Sequence, residues 1–292
     1  GTDAVWWLVS VSGLEGSRPA RVSSGFAVDG ADTPKPGDKP SLGTLWEGGG
    51  RVGFTTFAGR EDLLFHGSAS RRTRFPALRE LYSGALGRFL PNPDLKPEIL
   101  SGAEAGFTFM KDAVELQAVA FYQVLTDGIV RSSVSTPEGK KFKRINRDEV
   151  RSRGVEILAS GRSGAVGWSG DLTFQRTRGF TSGGDEVKLE YEPAIAGKLS
   201  ASFPLPASFE GGVSGRFMGR QYCENPEAGG LEPFDSSRHL DLRVGRAFGF
   251  RGGPLSRGEA AVSLDNATDA VVLDQCGLPQ PGRTFRIQIR FW

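Results

Sequence analysis

Apolar and polar residues alternate one by one along most of this chain. Leu240, Leu242 and Val244 alternate with His239, Asp241 and Arg243, and Ala260, Val262 and Leu264 with Ala261, Ser263 and Asp265. Val166, Trp168, Leu172 and Phe174 stand opposite Gly167, Ser169, Asp171, Thr173 and Gln175 in the same way. A period of two puts one side chain in every pair on each face of an extended strand, whereas the 3.6 period of a helix is nearly absent. The pattern predicts about twelve strands, with cores at 4–13, 50–58, 62–72, 101–110, 113–125, 153–161, 166–176, 195–204, 209–219, 238–248, 259–266 and 283–291. Their lengths lie close to the roughly 9–11 residues that a tilted strand needs to cross a bilayer.

The connections alternate too. Short links at Ala58 to Glu61, Lys111-Asp112, Arg162 to Ala165 and Leu205 to Ser208 take turns with long ones at Phe26 to Glu47, Ser83 to Leu95 and Cys223 to Phe234. Asp29 to Pro40, rich in Pro and charge, reads as a loop and not as a domain linker. A meander with one short-turned rim and one long-looped rim is the pattern of an all-β, antiparallel transmembrane β-barrel, short turns on the periplasmic side and long loops outside the cell. A soluble β-sandwich also reads as short alternating strands, but nothing in it requires so unequal a pair of rims.

Composition sharpens this reading. The 292 residues are 38% hydrophobic, below the roughly 45–50% of globular domains, while 41 glycines are about twice the usual share. An inside-out protein, apolar toward lipid and polar toward its lumen, accounts for both. No run approaches the roughly 18 apolar residues of a membrane-spanning helix. A net charge of +2 creates no field to attract nucleic acid. Of the 36 basic residues, 27 are Arg and 9 are Lys, which favours planar, bidentate contacts over point charges. The sequence opens Gly1-Thr2-Asp3 with no initiator Met or signal peptide, which reads as a processed or partial polypeptide.

Six segments, in order, resemble the TonB-dependent outer-membrane receptors. They are Arg74-Phe75-Pro76-Ala77-Leu78-Arg79-Glu80-Leu81-Tyr82; Asn92-Pro93-Asp94-Leu95-Lys96-Pro97-Glu98; Asn146 followed by Arg153-Gly154-Val155-Glu156; Gly219-Arg220-Gln221-Tyr222; Leu264-Asp265-Asn266-Ala267-Thr268-Asp269; and Pro281-Gly282-Arg283-Thr284-Phe285. In the first, Arg74 precedes Phe75 where the family has the reverse order. As barrel punctuation the segments make physical sense. Pro93 and Pro97 keep the chain extended, Gly154 marks a bulge or a close approach by another backbone such as the plug, and Asn266 and Asp269 bond back to the local backbone at a strand end.

The resemblance implies a 22-stranded barrel around an N-terminal plug, of which residues 1–292 are the last twelve strands or so, the C-terminal portion. Neither plug nor TonB box is read in the chain. An independent twelve-stranded barrel is the alternative, and it requires Gly1–Gly13 to pair with Arg283–Phe291. The function implied is uptake of a scarce nutrient chelate, siderophore-like or other, across the outer membrane of a Gram-negative bacterium; a passive channel or structural barrel without energy coupling is the alternative. The implied partners are outer-membrane lipid and lipopolysaccharide, the plug and remaining strands, TonB acting through the plug, and the barrel insertion machinery; nucleic acid is not among them. Phe285, Ile287, Ile289 and Phe291, with Trp292 one residue out of phase, resemble the C-terminal signal read by that machinery.

No enzyme, cofactor or metal ion is expected. Gly48-Gly49-Gly50-Arg51-Val52-Gly53 matches G-x-G-x-x-G, but a strand pattern follows it where a dinucleotide site needs a helix. His239 and Asp241 share a strand face and are the most enzyme-like pair; they read more simply as lumenal polar residues, as does His66. If the chain ends in the periplasm, Cys223 and Cys276 both fall on extracellular loops of adjacent hairpins, and a disulfide between them suits that oxidising compartment. The basic run Lys140, Lys141, Lys143, Arg144, Arg147, Arg151 and Arg153 reads as a charged loop able to gather an anionic ligand or lipopolysaccharide phosphate, with Arg71, Arg72 and Arg74 climbing toward the same rim. Tyr222 is a candidate for the vestibule. Trp6, Trp7, Trp46, Trp168, Tyr82, Tyr122, Tyr191 and Tyr222 are candidates for the interfacial girdles.

Overall fold

The computed structural model describes residues 6–10, 15–17, 45–57, 59–84, 87–181, 183–225, 230–250, 257–275 and 277–291. Twelve strands form one antiparallel meander in which each pairs with the next: β1 Trp6–Ser10, β2 Gly50–Phe57, β3 Leu63–Arg74, β4 Glu98–Lys111, β5 Val114–Thr136, β6 Gly139–Ser163, β7 Val166–Phe180, β8 Ile195–Leu205, β9 Phe209–Met218, β10 Ser237–Gly249, β11 Arg257–Asp265 and β12 Thr284–Phe291. Every strand expected from the alternation is present. Among the described residues no ladder joins β1 to β12, so the sheet they form is open, and the pairing of Gly1–Gly13 with Arg283–Phe291 that an independent barrel requires is not seen among them.

The ladder register sorts every side chain to one of two faces. Val52, Phe54 and Thr56 of β2 pair with Ala69, Gly67 and Phe65 of β3, which pair in turn with Ala103, Ala105 and Phe107 of β4. That apolar row continues through Leu172, Leu199 and Val213 to Phe285, Ile287, Ile289 and Phe291 on β12. These groups are exposed: Leu199 67%, Ile287 65%, Phe285 63%. The opposite face carries Arg51, Ser68, Glu104, Gln123, Ser152, Asp171, Lys198, Asp241 and Arg286. Large exposed side chains on one face and charge on the other are stable only where lipid wets the first and water the second.

Glycine and aromatic residues are coupled on the apolar face. The ring of Phe54 covers Gly67, Trp168 covers Gly161, Phe203 covers Gly211 and Phe248 covers Gly258, each ring within 3 Å of where a Cβ would stand. A large ring laid over a bare neighbour restores the packing that a strand glycine forgoes. Gly154 lies on the polar face and shows no bulge, since the register runs on through it on both sides. Its vacant side-chain space is taken by the Phe121 ring and the Phe174 carbonyl, so the close approach comes from inside the sheet.

Short connections at 58–62, 112–113, 164–165, 206–208 and 250–256 define a lower rim, and long ones at 75–97, 181–194, 219–236 and 266–283 an upper rim. The β5–β6 hairpin breaks the rule in an informative way. Only 137–138 separate the two strands, which are 23 and 25 residues long. The basic run from Lys140 to Arg153 is therefore continuous strand and not loop, contrary to the sequence expectation. Its ladder continues above the apolar belt, where no lipid selects alternation and the backbone pairing is joined by contacts from the rim loops.

Candidate functional site

The upper rim is built by the segments that carry the sequence motifs. Phe75–Ala77 leads into a short helix, α1 Leu78–Tyr82, absent from the sequence expectation. Leu81, Tyr82 and Leu95, at 6%, 9% and 2% exposure, pack together against Ile129 of β5 and form a small core above the sheet. Tyr82 belongs to this core and not to an interfacial girdle. The Arg74 guanidinium meets Glu98 and, at 2.8 Å, Glu80. Glu80 also accepts from the Ala77 N–H at 2.8 Å. Burial works to raise the Glu80 carboxyl, but Arg74 and the Ala77 N–H outweigh it and leave it below the ordinary carboxylate value.

Asn146 fastens the second motif. Its Nδ2 donates to the carbonyls of Lys96 (3.0 Å) and Asp127 (2.7 Å), and its Oδ1 accepts the Lys96 N–H at 2.9 Å. Asn92 donates to the Arg144 carbonyl at 2.7 Å, and Glu98 accepts the Ile129 N–H at 2.6 Å. Two loop segments and two tall strands thus become one clamp. The motif residues hold the rim's shape.

The candidate ligand residues separate into distinct settings. Arg71 is tied to Glu47 at 2.8 Å and Arg74 to its glutamates; Arg71 and Arg72 both border a recess of about 350 Å³ shared with Arg51, Ser70, Glu104 and Gln123. Arg51 meets Glu104 at 3.1 Å there, and Ser68 donates to the same carboxylate at 2.8 Å. Lys141 pairs with Glu138 at 2.6 Å near the tip of the tall hairpin. Lys140, Lys143 and Arg144 lie on the same strand, with Arg144 stacked 5.7 Å from the Phe89 ring centroid.

A second rim cluster joins 181–194 to 219–236. Lys188 donates to the Tyr222 hydroxyl at 3.0 Å, and its ammonium lies 4.1 Å from the centre of that ring. This hydrogen bond, reinforced by the lysine charge, lowers the Tyr222 phenol below its ordinary value. The Tyr191 N–H donates to the Tyr222 carbonyl at 2.9 Å, and the Tyr191 and Phe234 rings are 6.0 Å apart. Cys223 is 3% exposed and disulfide-bonded. Cys276, like Trp292 and the side chains of Trp6, Trp7 and Trp46, lies outside the described residues. Tyr122 and Trp168 stand on the apolar face, as girdle residues do, and Tyr191 and Tyr222 on rim loops.

His239 and Asp241 sit on the polar face of β10, their side chains 3.9 Å apart. Asp241 accepts the Asn266 N–H at 2.9 Å, and Asn266 exchanges hydrogen bonds with Ala270 at 2.8 and 2.9 Å. Asp269 accepts the Arg283 N–H at 2.9 Å. Both Asn266 and Asp269 adopt the left-handed backbone, at φ 49 and 54°, which their side chains tolerate. Among the described residues no cluster of three or more His, Cys, Asp or Glu is placed to hold a metal ion. Asp241 is a loop anchor.

The family model described as "TonB dependent receptor-like, beta-barrel" matches residues 21–264. No curated protein sequence matches the chain. Among solved structures, the copper transporter OprC is similar with a TM-score of 0.67 and 18% identity, over 85% of this chain and 40% of its own. The siderophore receptor PirA from Acinetobacter baumannii aligns with a TM-score of 0.63 and 16% identity, over 85% of this chain and 41% of its own. The FrpB iron transporter from Neisseria meningitidis gives 0.64 and 16%, over 84% and 39%. The chain spans about two fifths of the length of these proteins, all of them receptors or transporters by name.

Proposed function

Because the chain belongs to the TonB-dependent receptor-like β-barrel family, a family of the Gram-negative outer membrane, we propose that residues 1–292 are the C-terminal portion of a receptor that takes up a scarce nutrient chelate. The apolar face meets lipid, the polar face lines the lumen, and the upper rim faces the medium. Long loops capture the ligand, and a plug elsewhere in the receptor, pulled by TonB, opens the path; no catalytic step is involved. The observation that carries this reading is the clamped upper rim above a charged, polar sheet face. Loops held by Arg74, Glu80, Asn146 and the small core present fixed side chains to a ligand, and preorganisation of that kind reduces the ordering cost of binding.

Arg72 over the lumen, Lys140, Lys141, Lys143 and Arg144 on the tall hairpin, and Tyr222 with Lys188 at the rim are the ligand contacts in this reading, and they suit an anionic chelate through charge-assisted hydrogen bonds. Names of similar proteins mention copper, iron and siderophores; metal chelates are the substrate class to test first. We propose further that Cys223 pairs with Cys276 across adjacent loops, and that the alternating end of β12 serves as the insertion signal.

The test is accumulation of radiolabelled metal by cells carrying or lacking the intact receptor, with and without TonB, across ferric catecholate, ferric hydroxamate, haem and copper. The expected result is receptor-dependent uptake of one class that disappears without TonB. Uptake indifferent to TonB supports the passive-channel alternative and overturns this one.

A further inference from the structure

The β5–β6 hairpin outgrows both of its neighbours. β4 pairs with β5 only as far as Ile99, opposite Thr126, and β7 ends at Phe180, opposite Glu149, whereas β5 and β6 stay paired up to Thr136, opposite Gly139. Along a strand the N–H and C=O of one residue point to one edge and those of the next residue to the other. The Ile129 N–H turns away from β6 and donates to the Glu98 carboxylate at 2.6 Å. Across the hairpin the Phe142 N–H turns away from β5 and donates to the Arg88 carbonyl at 2.7 Å. These two bonds fix the phase: Ile129, Arg131, Ser133 and Ser135 address the outer edge of β5, and the residues between them address β6. The far edge of β6 is covered where Phe89–Leu90 pairs with Phe142–Lys143. On β5 the N–H and C=O groups of Arg131, Ser133 and Ser135 have no partner among the described residues, and all three residues are exposed.

Exposed edges are normally blunted by lysine, proline, a bulge or shortness. Ile129-Val130-Arg131-Ser132-Ser133-Val134-Ser135-Thr136 contains neither Lys nor Pro, and its register runs unbroken. From Ile129 to Ser135 the edge spans roughly 20 Å at about 3.4 Å per residue, the length of an ordinary strand. Its base is already fixed by the Asn92 and Asn146 hydrogen bonds and by the core of Leu81, Tyr82 and Leu95 against Ile129. A strand added here meets an ordered template. Between Gly128 and Arg147 the hairpin carries Arg131, Lys140, Lys141, Lys143, Arg144 and Arg147 against Glu138 alone. Arg131, opposite Arg144, and Ser135, opposite Lys140, lie on one face; Val130, opposite Ile145, and Val134 lie on the other. Like charges directly across a ladder repel. A second copy of this edge would press two basic hairpins together, whereas an acidic strand meets opposite charge.

We propose that the upper edge of β5 takes up an extended acidic segment of another protein as an added β-strand. Its main chain pairs with Arg131, Ser133 and Ser135, and its alternate side chains supply the specificity. Carboxylates on one face lie beside Arg131 and offset the repulsion from Arg144; β-branched residues on the other lie beside Val130 and Val134. Uptake of a chelate plays no part in this docking.

The test uses the intact receptor in mild detergent and a labelled short peptide of alternating Glu and Val. Two comparison peptides carry Lys in place of Glu, or Pro at the centre. Fluorescence anisotropy reads affinity, and hydrogen exchange reads the amides of 129–136. The expected result is binding of the Glu peptide at least tenfold tighter than either comparison, with exchange at Arg131, Ser133 and Ser135 slowed at least tenfold. Ser133→Pro deletes an edge donor and leaves the β6 ladder intact, a position where proline is tolerated; it should weaken binding at least tenfold. Ser133→Val keeps the N–H and should bind as the unaltered receptor does. Equal affinity for the three peptides, or tight binding that leaves those amides exchanging as before, overturns the proposal whether or not the proline variant folds. So does undiminished binding by Ser133→Pro, or a peptide-free self-association that Ser133→Pro abolishes. Normal TonB-dependent uptake by a receptor that binds none of the peptides refutes this docking edge alone; strand pairing in a receptor that moves no metal refutes the uptake reading alone.

Discussion

Replacing Gly154 by alanine places a methyl group where the structure has no room. A Cβ there would lie 2.8 and 2.9 Å from two atoms of the Phe121 ring and closer still to the Phe174 carbonyl oxygen. Separations under 3.0 Å are not found for real Cβ atoms, so something must move. The ring can turn, but the carbonyl belongs to the β6–β7 ladder and shifts only if those strands part. Overpacking of this kind costs about 1–3 kcal/mol. The opposing gain from a stiffer unfolded chain is about 0.4–1 kcal/mol, and the net loss is about 1–2 kcal/mol. Gly50 is the control, because nothing lies within 4 Å of its Cβ position and Gly50→Ala keeps only the favourable part. The two substitutions should therefore shift stability in opposite directions. Urea unfolding of the intact receptor in lipid vesicles, followed by tryptophan fluorescence, reads the sign directly. Adding Phe121→Ala to Gly154→Ala should recover only the ring's share. Gly154→Ala as stable as Gly50→Ala would refute the reasoning and reopen a plug-facing role for this glycine.

Asn146→Ala removes three hydrogen bonds from the rim clamp and should speed protease cleavage within 83–97 by tenfold or more, a local loss of about 1–3 kcal/mol. The lowered Glu80 carboxyl contributes stability at neutral pH; that contribution falls as pH drops below the ordinary Glu value of about 4.3 and through the lower folded value. Cleavage of the same loop should rise over that acid window, and Glu80→Gln should flatten the profile. Asp241→Ala orphans the Asn266 N–H and should loosen 266–283, seen as faster amide exchange there. Ultraviolet titration of the tyrosines should show one phenol ionising early, and Lys188→Ala should return it to the others.

Each of the twelve strands was legible because each alternates against lipid, and a two-residue period against an apolar solvent leaves a clear trace in sequence. Where lipid ends, the trace ends. The upper parts of β5 and β6, beyond about Thr126 and before about Val150, carry no apolar alternation, and so the basic run read as a loop. Helix α1 was invisible for a related reason: five residues have no period to detect, and Leu81 and Tyr82 are buried only because Leu95 and Ile129 arrive from elsewhere. Asn266 and Asp269 act locally, and their roles could be read. The open upper edge of β5 has no sequence trace either, since only the two ladders show that its pairing with β4 stops at Thr126 while its pairing with β6 runs on.

Among the described residues the outer edge of β12 is unpaired, and this has a consequence for how the molecule reaches its membrane. Of its 8 residues, about half the N–H and C=O groups point away from β11, roughly eight polar groups in all. Water satisfies them outside a bilayer, but hydrocarbon offers nothing, and each orphan there costs several kcal/mol. The sum is on the order of tens of kcal/mol, more than the stability of most domains. Entry into the bilayer is therefore conditional on seam closure. The edge is a zipper half that must find its mate before or during insertion, and whatever supplies that mate sets the timing of assembly for the whole wall.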